Sequence, residues 1–196
     1  MLSLTTKERE TLLILFKDYT SFYNANSISK VLKISHVGAQ KIFKRLKKEN
    51  LIVNTKIGKS IIYKLNLKED YTKNLISFLL ADEAHNFKRW KEEFKELEQK
   101  GRIIMMFGSA IKNYAQAHDI DLMIVIEQKE IKEINVILKK KEEILPKKIH
   151  AIKLTKHDLL ENIKKKDKAI VDIVKNAIIL YGQDNYVEIM TNAQKW

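Results

Sequence analysis

The chain has no cysteine, which excludes both a disulfide framework and a thiolate metal site. One proline, Pro146, and five glycines are all that interrupt its 196 residues, so long stretches lack the strongest breakers of regular structure. No apolar run approaches the roughly 20 residues a bilayer-spanning helix needs, and nothing reads as a secretory signal. A cytoplasmic protein with no membrane partner is expected. Acidic residues are the scarce charge: 25 Asp and Glu stand against 37 Lys and Arg, a formal net charge of +12. That balance favours a polyanionic partner, because lysine and arginine gain affinity for phosphate chains by releasing condensed counterions. Hydrophobic residues make up 45% of the chain, enough for ordinary globular cores, and the length suits two small domains.

The charge is concentrated in the first third. Residues 1–70 hold 14 Lys and Arg against 6 Asp and Glu, a net of +8, which leaves +4 for the rest. The apolar spacing in this part predicts three helices: residues 6–16 behind a threonine cap, a short helix capped by Asn26 and ending at Leu32, and a longer one from Ser35 to Lys48. The period then changes. Residues 51–56 and 60–65 are β-branched, alternating runs joined by Ile57-Gly58-Lys59, a hairpin signal. From 71 to 100 there is no Gly or Pro, and Ile76, Leu80, Ala84, Phe87, Trp90, Phe94 and Leu97 recur at three- and four-residue steps. One long amphipathic helix ending at Gly101 is expected. Its aromatic stripe packs either on its own domains or in the seam of a homodimer.

Beyond Gly101 the pattern alternates strand and helix. An apolar run ends in Phe107-Gly108-Ser109, and a second opens with Asp119-Ile120-Asp121. A helix over 130–144 stops before Pro146, residues 148–154 form a third strand, and helices follow over 156–165 and 168–178. A short apolar segment at 179–182 precedes a last helix from Asp184. The expected class is α/β (α+β): domain 1–70, connecting helix 71–100, and domain 101–196 with a mixed sheet flanked by helices.

Two carboxylates two residues apart on a strand project from one face, so both reach one cation. Hard oxygen ligands suit magnesium or manganese. Gly108 lets backbone approach a phosphate closely, and the Ser109 hydroxyl is a donor. The bland alternative pairs both acids with Lys112.

Three helices and a hairpin in this order, with the segment Asn26 to Leu51, resemble the winged helix-turn-helix family. The resemblance implies that the third helix enters the major groove of double-stranded DNA while the hairpin rests on the backbone. With Ala39, Ile42, Phe43 and Leu46 as the buried stripe, His36, Val37, Gln40, Lys41, Lys44 and Arg45 face outward. Gln40 suits a base edge, Lys41, Lys44 and Arg45 suit phosphates, and Lys56 and Lys59 are the hairpin contacts.

Phe107-Gly108-Ser109, Lys112 and Asp119-Ile120-Asp121-Leu122 make residues 100–196 resemble the minimal nucleotidyltransferases of the polymerase-beta-like superfamily. The resemblance implies that Gly108, Ser109 and Lys112 bind a nucleoside triphosphate, and that Asp119 and Asp121 are catalytic residues holding Mg2+ or Mn2+. Three departures stand out: the interval from Ser109 to Asp119 is one residue short, Asn113 replaces a common glycine, and residues 148–155 supply no third acid. His150 is the one potential ligand on that strand; it is read as a strand-face residue making a single hydrogen bond, and His118 as a loop residue. Two functions follow. One is a DNA-binding nucleotidyltransferase acting on a hydroxyl acceptor, such as a partner toxin, a small molecule or an RNA end. The other is a transcriptional regulator whose degenerate transferase domain senses a ligand or dimerises.

Overall fold

Thr5 and Glu8 form a reciprocal cap, each side chain taking the other's backbone N–H, and this starts α1 (Thr6–Lys17). This computed structural model describes residues 3–193. Helix α2 (Ala25–Leu32) is capped by Asn24 rather than Asn26, with Ser27 closing the reciprocal bond. Asn26 lies inside the first turn, where its carbonyl accepts from the Ser29 hydroxyl at 2.8 Å. Ser35 caps α3 (His36–Lys48) by accepting from the Gly38 N–H at 3.0 Å. Ala39, Phe43 and Leu46 bury one face of α3. They pack with Leu12, Phe16, Ile28, Leu51 and Ile52 into a core from which water is excluded.

The hairpin pairs β1 (Ile52–Ile57) with β2 (Ser60–Leu65), and Ile57 faces Ser60 across a two-residue loop. Gly58 opens that loop at φ 59°, the left-handed conformation that two-residue hairpins of this hand require. Tyr63 stacks on Phe43 with ring centroids 3.9 Å apart, and its N–H donates to the Tyr23 carbonyl at 2.8 Å. The hairpin is thereby tied both to α3 and to the segment leading into α2. Three helices and a two-stranded wing are the winged-helix arrangement.

The chain divides into two units between Leu79 and Leu80, inside α4 (Asp70–His85). The single helix expected over 71–100 is instead broken into α4, α5 (Lys88–Glu93) and a 3-10 turn at Lys95–Leu97. Asn86 is the break. Its side chain donates to the Asp82 carbonyl, a local bond that competes with the helical ladder, and Phe87 leaves helical geometry at φ −110°, ψ 41°. The turn lets Trp90, Phe94 and Leu97 enter the core of their own unit, at 6%, 0% and 0% exposure. That burial removes the aromatic stripe as a dimer seam.

The second unit is built on a four-stranded mixed sheet in the order β5-β4-β3-β6. Its strands are β3 (Ile103–Phe107), β4 (Asp119–Val125), β5 (Lys148–Leu154) and β6 (Ile178–Tyr181). Only β4 and β5 run parallel, and α7 (Ile131–Ile144) makes the crossover between them. A one-turn helix, α6 (Ser109–Lys112), follows β3; α8 (Lys156–Lys165) and α9 (Lys168–Asn176) separate β5 from β6; α10 (Gln183–Ala193) closes the described chain. On one sheet face Ile104, Met106, Ile120, Leu122, Ile124 and Leu180 pack with Trp90, Phe94, Ile134 and Leu138. The alternate residues Ile103, Met105, Met123, Val125 and Ile179 are fully buried too, so both faces are covered.

Candidate functional site

Antiparallel pairing sets Phe107 opposite Asp121, which brings the exit of β3 beside the entry of β4. Ile120 is fully buried in the core, so its neighbours Asp119 and Asp121 emerge together on the other face. Parallel pairing of β5 then places Lys148 opposite Asp119 and His150 opposite Asp121. His150 Nδ1 lies 2.9 Å from Asp119 Oδ2 and 3.9 Å from Asp121 Oδ1. One donor atom from each of the three residues falls within 4.8 Å of the others. Burial and then the adjacent charge of Asp119 push the Asp121 carboxyl above its ordinary range, with His150 acting in the opposite direction. Two carboxylates held this close are a costly arrangement without a cation between them.

Gly108 borders the two acids from the β3 side at φ 79°, and a Cβ there would stand 2.0 Å from Asp121 Oδ2. The freedom of this glycine is used first to let the carboxylate approach. Ser109 and Lys112 lie in α6 and are exposed. Lys112 makes no ion pair with either acid among the described residues, so the simple pairing of Asp119 and Asp121 with Lys112 does not occur. Asn113 is extended at φ −152°, a conformation that asks nothing of a glycine.

The loop from α6 to β4 is held by a residue that sequence reasoning missed. Lys147 Nζ donates to the Tyr114 carbonyl at 2.5 Å and also to the carbonyl of Ala117, and it lies 4.6 Å from the Tyr114 ring centroid. Arg89 approaches the same ring at 4.4 Å. Nothing local in the sequence ties Lys147 to a loop 30 residues earlier; only its place just before β5 does. His118 is exposed in this loop.

In the first unit, His36, Val37, Gln40, Lys41 and Lys44 are exposed along α3, and Lys56 and Lys59 are exposed on the wing. Ile42 is only partly buried. Arg45 has a different engagement. Both oxygens of the buried Glu8 accept from its Nη1 at 3.0 Å, and the Ser3 carbonyl accepts from Nη2. Its guanidinium fastens α3 to α1, while the residue, like the others of the outward set, stays exposed.

Residues 89–186 match the family described as polymerase beta, nucleotidyltransferase. This is half of the chain and contains Gly108, Asp119, Asp121 and His150; the chain belongs to that family. Solved structures with similarity to it include the adhesin competence repressor AdcR of Streptococcus pyogenes, at 14% identity and a TM-score of 0.38 over 74% of this chain and 84% of that one. ZitR of Lactococcus lactis shows 16% identity and a TM-score of 0.35 over 74% of this chain and 78% of that one. No curated protein matches the chain. Among the described residues no helix is long and apolar enough to cross a membrane.

Proposed function

We propose that the protein is a metal-dependent nucleotidyltransferase with a DNA-binding winged helix, moving a nucleoside monophosphate from a nucleoside triphosphate to a hydroxyl acceptor. The observation that carries this reading is the convergence of the Asp119 and Asp121 carboxylates beside Gly108, on a chain of the nucleotidyltransferase family. The donor set fits Mg2+ or Mn2+, since carboxylate oxygens are their preferred ligands. Such an ion, when bound, neutralises the triphosphate and favours the ionised form of the acceptor hydroxyl.

The chain's own residues do the rest. Asp119 and Asp121 hold the cation. The Ser109 hydroxyl and the backbone at Gly108 donate to phosphate oxygens, and Lys112 adds positive charge at the rim. The acceptor oxygen bonds to the α-phosphorus, the bond to the bridging oxygen breaks, and pyrophosphate leaves while the hydroxyl proton passes to solvent. Acceptors with the right chemistry are a hydroxyl-bearing side chain of a partner protein such as a toxin, a small molecule, or an RNA end.

On the first unit, Gln40 faces a base edge and His36, Lys41, Lys44, Lys56 and Lys59 face the backbone of duplex DNA. Fluorescence polarisation of the full chain with duplex DNA across a salt series tests this: affinity falls steeply with salt if these lysines displace counterions, and a flat response contradicts it.

One observation favours a second reading. The β5 strand offers His150 where an active member of the family supplies an acid, which leaves the general base unfilled. The protein is then a transcriptional regulator whose transferase domain senses a nucleotide. Incubation with triphosphates labelled at the α-phosphate, with Mg2+ or Mn2+, separates the two. Label transfer that disappears in Asp119→Ala/Asp121→Ala marks the enzyme; DNA binding that changes with nucleotide, without transfer, marks the regulator.

A further inference from the structure

We propose that the His150 imidazole is the third ligand of the cation pocket and turns its preference from Mg2+ toward first-row transition ions, with Mn2+ as the probe. The inference rests on the cation pocket of the proposed function and concerns which ion that pocket selects.

Backbone register, rather than side-chain packing, puts His150 at the pocket. It stands directly opposite Asp121 on the parallel neighbour strand, and its side chain is 60% exposed, so no core contact accounts for its direction. Lysines are available nearby to neutralise the acids, yet neither Lys112 nor Lys148, the residue in register with Asp119, forms an ion pair with them among the described residues. The group that meets both carboxylates is an imidazole nitrogen.

The spacing of Asp119 and His150 suits ligation, and Asp121 Oδ1, 3.9 Å from Nδ1, lies about 1 Å beyond a cis spacing. Two cis donors around an octahedral ion with bonds of about 2.1 Å lie about 3.0 Å apart, and Asp119 Oδ2 and His150 Nδ1 are 2.9 Å apart. The imidazole nitrogen already stands at that distance from the carboxylate, as a close ion-pair contact. The chemistry then sets the selectivity. Mg2+ takes oxygen ligands and gives up water reluctantly, so a nitrogen donor adds little to its binding. Manganese and the later first-row ions accept two carboxylates and one imidazole, with affinity rising along the series. A family pocket completed by an imidazole in place of a third acid is therefore a pocket for a different ion.

Pulsed electron paramagnetic resonance of Mn2+ on the full chain tests the proposal, with and without a non-hydrolysable nucleoside triphosphate and with Mg2+ as competitor. His150→Asp, which restores a third carboxylate at an exposed position, is the comparison. The expected result is nitrogen modulation of the Mn2+ signal in the native chain and none in His150→Asp, with the Mn2+ over Mg2+ preference lower by about ten-fold in the variant. Mn2+ bound without nitrogen modulation, and an unchanged preference in His150→Asp, overturns the assignment of His150 while leaving the pocket intact. Failure of the native chain to bind either ion, or binding indifferent to Asp119→Asn/Asp121→Asn, overturns the pocket together with the proposal.

Discussion

Gly108 and Asp121 occupy each other's space: the carboxylate Oδ2 sits 2.0 Å from where a Cβ at residue 108 would be. Gly108→Ala therefore displaces the acid as well as straining a backbone at φ 79°. We expect a loss of about 1–2 kcal/mol in stability from the backbone conformation alone. Mn2+ affinity should fall by about ten-fold or more as the carboxylate moves. Urea unfolding and calorimetric titration check the two effects separately.

Removing the paired acids should cost function and not stability. Asp119 and Asp121 repel each other, and Asp121 is held above its ordinary range by burial and by Asp119. Asp119→Asn/Asp121→Asn removes that repulsion, so its melting temperature without metal should equal or exceed that of the native chain, while nucleotide transfer is lost. A clear drop in melting temperature would assign the pair a structural role.

Arg45 and Lys41 should separate in experiment although both were expected on the DNA face. Arg45→Ala leaves the buried Glu8 without its guanidinium and should destabilise the first unit by about 1–2 kcal/mol. Lys41→Ala should leave stability unchanged, weaken DNA binding across all sequences and reduce the slope of log affinity against log salt by about one.

Among the described residues, Arg102 is a buried ion of the second unit. Its Nε donates to Glu130 at 2.8 Å and its Nη2 to Glu133 at 3.0 Å, with only 2% of the side chain exposed. Burial disfavours its charge, but the two glutamates outweigh that and raise its pKa; against its own burial, the Glu127 N–H and then this guanidinium hold Glu130 below the usual range. Arg102→Leu leaves Glu130 with the Glu127 N–H but without its guanidinium, and should cost about 1–3 kcal/mol in urea unfolding. Adding Glu130→Gln should recover part of the loss.

Tyr181 gives the protein an alkaline limit. Its hydroxyl donates to the Lys91 carbonyl at 2.5 Å, and burial followed by the charges of Glu98 and Glu92 pushes its pKa up to about 12. An unfolded tyrosine titrates near 10, so on raising the pH the unfolded chain releases this proton first. The contribution is fully present below pH of about 10 and is lost between about 10 and 12. Tyr181→Phe should be less stable at neutral pH, through the lost hydrogen bond, yet show a shallower decline over that alkaline interval.

Much of the fold was legible because local chemistry decides it. The Ser35 cap, the Gly58 hairpin, the β5 bounds at Lys148–Leu154 and the α8 bounds at Lys156–Lys165 follow from caps and from changes of period. Asn24 and Asn26 each precede a serine by three residues, so pattern alone does not choose between them. The pairing of Tyr23 with Tyr63 does, by holding the chain extended just before Asn24. The helix break at Asn86 was hidden because a regular apolar stripe reads the same whether one helix or two successive segments bury it.

The candidate site was half legible for the same reason. Asp119 and Asp121 share a face by strand alternation, which any reader of the sequence can count. His150 joins them only through the register of β5 on β4, set across a helix of 14 residues. Arg45 points outward by helical period, and only the packing of α1 against α3 puts Glu8 within its reach.

The most direct measurement is calorimetric titration of Mn2+ with a non-hydrolysable nucleoside triphosphate into the native chain and into Asp119→Asn/Asp121→Asn. One-site binding in the native chain that weakens by ten-fold or more in the double variant is the expected result. Equal affinity in the two proteins would contradict a cation pocket at Asp119 and Asp121, and with it the transferase reading.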